Sequence, residues 1–229
     1  PLLPSAAFEN VFLPLQNLKI GFVVMHGNIG DQLLQEAALQ LFKAFGVAYR
    51  AVNTRATPKT FVPEVCAWAD EFVVCGGGNM GGKYPGPLWV RDKIRSYNKP
   101  VTILPQTFTN SREDHPYKKV WVRERKSLEF REDAELAPDL ALGYSLSMIF
   151  TEPREDIGLF LRTDLEKTAA CRMLSLGDPA RMCTSLEEYF SLAARYKKIC
   201  TNRLHFAIAG LILGRAVVLL PNSYFKNRE

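Results

Sequence analysis

Short apolar runs rich in β-branched residues alternate with segments of helical periodicity along most of the chain. That alternation is the mark of a parallel α/β architecture. "KIGFVVMH" (19–26) is predicted as a buried first strand. The segment after it carries Leu34, Ala38, Leu41, Phe42 and Phe45 at helical spacing, with Asp31 near the start and Gly46 at the end. "VAYRAV" and "EFVVCGGG" (71–78) supply the next two strands, the latter running into a glycine loop. A helix opened by proline, "PGPLWVRDKIRSYNK", precedes the strand "PVTILPQ" (100–106). "VWVRERKSLEF" gives a short strand and a helix, and "LAPDLAL" a last apolar piece.

A second, smaller α/β set follows. The expected organisation is an N-terminal Rossmann-like domain over 1–146, a linker over 147–157 and a reduced C-terminal Rossmann-like domain over 158–229. The second domain opens with the strand "GLFLRTD" (158–164). It holds a helix near 185–197, the strand Lys198–Cys200, an oily helix after Leu204 and the strand Ala216–Leu220. Apolar on every side, the oily helix is expected to be buried in its domain.

Composition narrows the function classes. With 47% apolar and 23% charged residues the profile is that of a globular protein, and no stretch reaches the ~18 uninterrupted apolar residues of a membrane span. The opening Pro-Leu-Leu-Pro lacks the basic region of a signal peptide, and its missing Met points to a trimmed start. Five cysteines without a CxxC argue for a reducing cytosol over a disulfide framework or zinc site. The net charge of +5 is scattered, which suits anionic small molecules or an acidic membrane face and not nucleic acid.

In open α/β sheets ligands bind at the carboxyl ends of strands, and four clusters fall at such positions. In "HGNIGDQ" (26–32), Gly27 and Gly30 let backbone approach a ligand at a helix start that favours an anion; the same residues suit a tight turn with Asp31 as the cap. "CGGGNMGGKYPG" (75–86) carries five glycines in seven residues, more than a turn requires, and is read as a ligand-facing loop. Its GxxxxGK spacing is not a phosphate loop, because Tyr84 stands where Ser or Thr should hold magnesium and Pro85 and Pro87 follow. In "VRERKS" (122–127), Arg123 is expected to point into the crevice, with Glu124 and Arg125 in a solvated turn. The fourth cluster is "TNRLHFAIAGLILG" (201–214). Here Arg203 and His205 sit at the positive end of a helix dipole, where two cationic groups repel that end unless an anion lies among them. The opposing reading pairs Arg203 with a carboxylate and packs His205 in the interior.

Six motifs in order along nearly the whole chain resemble the polysaccharide pyruvyl transferase family: "GNIGDQLL" (27–34), "GGGNMGG" (76–82), "WVRERKS" (121–127), "PDLAL" (138–142), "GLFLRTD" (158–164) and "TNRLHFAIAGLILGRAVVLL" (201–220). The resemblance implies two Rossmann-like halves of GT-B type, the second reduced in size. It implies transfer of a pyruvyl group from phosphoenolpyruvate onto two hydroxyls of a saccharide or its lipid-linked precursor, giving a cyclic ketal. Arg203 and His205 fall on the catalytic positions, with His205 as general acid and base. Arg123 and Leu204 fall on donor-binding ones. Asn28, Asp31, Gly76, Gly77, Gly78 and Asn79 would shape the cleft or hold the acceptor. No metal or other cofactor is called for. The cysteine usage places the chain in the cytoplasm, and its basic balance suits visits to the inner membrane face, where lipid-linked oligosaccharides would be built. Between Asp164 and Thr201 the chain is shorter than the family's usual pattern. Two other readings are a GT-B glycosyltransferase using a nucleotide sugar and a non-catalytic subunit of a polysaccharide assembly complex.

Overall fold

A computed structural model describes residues 1–229 except 25–26, 53–62, 82–84, 114, 169–173 and 229. Met25 and His26 of the expected first strand, Gly82 to Tyr84 of the glycine segment, and Cys171 lie outside the described residues. The described chain forms α1 (Glu9–Phe12), β1 (Lys19–Val23), α2 (Ile29–Ala44), β2 (Ala48–Val52), α3 (Pro63–Trp68), β3 (Glu71–Val74), β4 (Gly77–Met80), α4 (Pro85–Arg95), β5 (Val101–Phe108), β6 (Lys119–Val122) and β7 (Ala134–Leu136). It continues with β8 (Glu155–Phe160), α5 (Pro179–Met182), α6 (Leu186–Ala194), β9 (Tyr196–Thr201), α7 (Leu204–Ile212) and β10 (Ala216–Leu219). The chain divides into two compact units. One comprises Leu3–His26 and Leu34–Gly143; the other comprises Pro1–Leu2, Gly27–Leu33 and Tyr144–Glu229. The mostly parallel α/β character expected from the alternation of runs is what the structure shows.

The larger unit is built on a parallel sheet ordered β2-β1-β3-β5-β6-β7, with β4 paired to the far half of β5. β3 and β5 are buried at every position. A strand covered on both faces reads as a continuous apolar run, which is why both were legible. The long helix α2 buries Leu34, Ala37, Ala38, Leu41 and Phe42. It stops where Gly46 takes φ +66 and Val47 N–H returns to the Phe42 carbonyl at 2.8 Å, a left-handed C-terminal cap.

The glycine segment differs from its expectation as a loop. Gly77–Met80 is strand β4, lying in line with β3 along one side of β5. A Cβ at Gly76 would stand 2.8 Å from the Pro105 carbonyl oxygen, so close backbone approach explains that glycine without a ligand. Asn79 accepts from Arg91 Nη1 at 2.8 Å, and fully buried Arg91 pairs with Glu113, whose Oε2 also accepts Gly81 N–H at 3.0 Å.

The smaller unit carries a three-stranded parallel sheet ordered β10-β9-β8. Its first strand starts at Glu155, inside the stretch expected to be a linker. α6 opens with a cap: Ser185 Oγ accepts Glu188 N–H, and the Glu188 carboxylate accepts the N–H of the preceding Thr184 at 2.7 Å. α7 buries Phe206, Ala207, Ile208 and Ala209, but Leu211 is exposed. The oily helix is therefore covered along part of its surface, not all round. Among the described residues no helix is long and apolar enough to cross a membrane.

Candidate functional site

The carboxyl ends of β8, β9 and β10 in the smaller unit gather the polar groups, and a parallel sheet puts these three ends on one edge. β8 delivers Arg162 and Asp164, β9 delivers Asn202 and Arg203, and β10 delivers Asn222. Arg162 Nε and Nη2 both donate to Asp164, at 2.8 and 2.9 Å, and Nη1 pairs with Glu166. Arg162 N–H donates to the Asn202 side chain at 2.8 Å, tying β8 to the end of β9. Glu166 also accepts from Tyr224 and from Lys226 Nζ, at 3.2 and 2.7 Å.

Arg203 occupies the N-cap position of α7 and is only 7% exposed. Its Nε and Nη2 donate to the two oxygens of Asp178 at 2.8 and 2.6 Å, and Nη1 lies 2.9 Å from Asp164. The expectation that its charge awaits an anion is thus corrected, because two carboxylates of the same unit already balance it. Burial opposes ionisation of Asp178, yet the hydrogen bonds and charge of Arg203 outweigh it and hold the carboxyl below the ordinary range. Asp164 is likewise held well below that range, its burial overcome by Arg162 and Arg203. Among the described residues, Arg162, Arg203 and Lys226 are thus each paired with one or more of Asp164, Glu166 and Asp178.

The "GNIGD" and "RLH" motifs meet within this unit. Asn28 Oδ1 accepts Gly30 N–H at 2.8 Å while Asp31 reaches back to Asn28 N–H at 2.8 Å, so these two residues cap the start of α2. Of the two readings left open for this turn, the capping one is present in the structure. Gly30 also sits directly against the half-buried His205: a Cβ there would stand 2.8 Å from His205 Nδ1 and 3.1 Å from its Cβ. Leu204, between Arg203 and His205, is half-buried at the first position of α7. No side chain of the N-cap residue accepts from the amino end of α7, which leaves that end to be met by other acceptors. Next to these groups is Tyr189, fully buried, its ring edge-on to Phe206 at 5.0 Å. Its hydroxyl has no hydrogen-bond partner among the described residues. Burial pushes that hydroxyl far above its ordinary pKa against the opposing charge of Arg203, so it stays protonated.

The remaining predicted residues lie in the larger unit. Arg123 follows β6 as expected, but its side chain is 3% exposed. It donates to Thr107 Oγ1 at 2.9 Å and to Asp139 at 2.7 Å. Glu124 is not in a solvated turn: it is buried and accepts from Thr107 at 2.9 Å and from Ser127. Burial raises its pKa, partly offset by Arg123. Arg125 is exposed, as expected. Gly76, Gly77, Gly78 and Asn79 run beside Gln106, which donates to the Cys75 carbonyl at 2.7 Å. Reading the sequence assigned no role to Arg162, Asp164, Glu166 or Asp178, although "GLFLRTD" contains the first two; the Asp178-Pro179 pair, an N-cap followed by a first-turn proline, was a local signal for Asp178.

Residues 28–224, which contain both the capped α2 turn and the Arg203–His205 pair, match the family model described as polysaccharide pyruvyl transferase. The chain belongs to that family. Membership implies a pyruvyl-transfer role with a saccharide as acceptor. No curated protein matches the sequence. Among solved structures, a protein of Klebsiella pneumoniae described as uncharacterized aligns over 97% of this chain and 91% of its own at TM-score 0.74 and 21% identity, a likeness of fold alone. A solute-binding protein of an ABC transporter from Mycobacterium smegmatis, with bound glycerol, aligns over 86% of this chain and 70% of its own at TM-score 0.36 and 11% identity, too loosely to bear on either fold or function.

Proposed function

We propose that the protein transfers a pyruvyl group from phosphoenolpyruvate onto two hydroxyls of a saccharide, closing a cyclic ketal and releasing phosphate. A proton added to the methylene carbon of the donor makes it a methyl group and leaves an oxocarbenium at C2. One sugar hydroxyl attacks C2 and gives up its proton. The bond from C2 to the phosphate oxygen then breaks, and the second hydroxyl closes the ring with loss of its own proton. Each proton step calls for a general acid or base, and His205, half-buried beside the carboxyl edge of β8-β9-β10, is proposed to supply it.

The observation carrying this reading is the seating of His205 against Gly30, which joins the two most separated motifs of the family match in one unit. Arg203 enters in a changed role. Its carboxylate partners use three of an arginine's five N–H donors. The two that remain, with the amino end of α7, are the groups proposed to receive a carboxylate or phosphate of the donor. Arg123 is proposed to serve the donor, and Asn28, Asp31 and the 76–79 strand to shape the acceptor site. The GT-B arrangement of two halves and work at the inner face of a membrane belong to the same proposal.

The test is to incubate the protein with phosphoenolpyruvate and candidate oligosaccharides and weigh the products by mass spectrometry. The added pyruvyl mass is expected with the parent protein. His205→Ala is expected to keep its fold by circular dichroism and lose transfer. Undiminished transfer by that variant rejects the assignment.

A further inference from the structure

The larger unit contains a cavity of about 410 Å³ at the amino ends of its strands, the edge opposite to the one carrying Arg123. That volume falls within the range of small-molecule sites, about 300–1,000 Å³. Its floor is polar. Glu71, 1% exposed at the start of β3, accepts from the Thr102 hydroxyl and from Lys118 Nζ. One side is apolar, made by Val11, Leu13 and Leu15 after and within the opening α1 segment. The rim holds a second ion pair, Lys119 with Glu135, and the Lys119 ammonium lies 4.7 Å from the centre of the Trp121 ring.

The charges decide what chemistry fits. Both lysines are already matched by carboxylates, and Glu9 adds a third acid to the lining, so an anion is repelled. An incoming cation finds Glu71, Glu135 and the indole face taken by lysines, and only the exposed Glu9 left to pair with. A neutral polyol meets neither obstacle. Glu71 uses two of a carboxylate's roughly four acceptor positions here, and Lys118 one of its three donors. Adjacent hydroxyls can therefore donate to one group and accept from the other while a C–H face lies on the apolar side.

We propose that this cavity is a saccharide-binding subsite for neutral, hydroxyl-rich sugar units, separate from the residues assigned to transfer. It goes beyond the transfer reaction and does not depend on it, since the readout is binding. Saturation-transfer-difference NMR with cellobiose and with lactose tests it. Transfer of saturation to the sugar ring protons is expected in the parent protein and in His205→Ala alike. It is expected to fall severalfold in Thr102→Val and in Glu135→Gln. Glu135 is 61% exposed on its side chain, so that variant leaves the fold intact. Absence of signal with both sugars overturns the proposal. So does a signal that both cavity variants preserve, or one that only His205→Ala abolishes. Failure of pyruvyl transfer in the mass assay, with sugar binding intact, would count against the proposed reaction and not against this site.

Discussion

Replacing Gly30 by Ala perturbs His205 with a single methyl group. Gly30 is the second residue of α2, where alanine gains about 1 kcal/mol of helix propensity. Against that, the new Cβ would stand 2.8 Å from His205 Nδ1, and ordinary contact begins at 3.4 Å, so the imidazole must move by about 0.6 Å. The new Cβ would also stand 3.0 Å from the capping Asn28 Oδ1 and 3.1 Å from the His205 Cβ, which restricts the escape on either side. Overpacking of this kind costs about 1–3 kcal/mol, leaving a net destabilisation of about 0–2 kcal/mol. For a chain of this size that lowers Tm by no more than about 8 °C. Activity responds more steeply, because misplacement of a reacting group by about 1 Å can cost on the order of 100-fold. The expected fall in transfer is about 10- to 100-fold, or about 1.4–2.7 kcal/mol of barrier. Gly86 provides the control: it is the second residue of α4, and a Cβ there meets nothing within 4 Å. The assay pairs thermal unfolding followed by circular dichroism with mass-detected pyruvyl transfer. If Gly30→Ala transfers at the rate of Gly86→Ala, the position of His205 is irrelevant to the chemistry and the reasoning fails.

Two further outcomes are expected. Glu113→Gln leaves the fully buried Arg91 without its charge partner, and breaking one member of a buried pair costs about 3–5 kcal/mol; urea unfolding should show that loss, with part of it recovered in the Arg91→Met, Glu113→Gln double variant. Asp178 and Asp164 have folded pKa values below their unfolded ones, so the stability they contribute is fully present above about pH 4 and is lost as pH falls through the depressed folded values. Acid titration of Asp178→Asn should therefore start from lower stability at neutral pH and fall less steeply below about pH 4 than the parent.

What the sequence revealed and what it hid divide along the range of the interactions. β1, β5 and α2 are set by local pattern: buried runs for the strands, a 3.6-residue stripe with a glycine stop for the helix. Gly77–Met80 became a strand because its partner, β5, supplies the ladder; glycines carry no alternation that could announce it. Glu124 looks like a solvated charge until Thr107 and Ser127 come to it. The partners of Arg203 are similarly remote, Asp178 lying 25 residues earlier in the chain. Chemistry-bearing residue types at strand ends were legible, whereas the carboxylates that neutralise them were not.

The pairing of Arg203 changes what its position means. A guanidinium at the amino end of α7 opposes the helix dipole, and no acidic residue stands in the first turn to relieve it. The relief comes from Asp178 and Asp164, one on the loop before α5 and the other just beyond β8. With Nε and Nη2 fixed on one carboxylate and Nη1 beside the other, the guanidinium plane cannot swing to follow a ligand. The arginine thus becomes a fixed reference for the residues that follow it in α7. Because Leu204 and His205 are the first two residues of that helix, the aspartates that hold Arg203 also fix where the imidazole stands relative to the strand edge. In this fold the charge of Arg203 is committed to orientation, held by two carboxylates of its own unit.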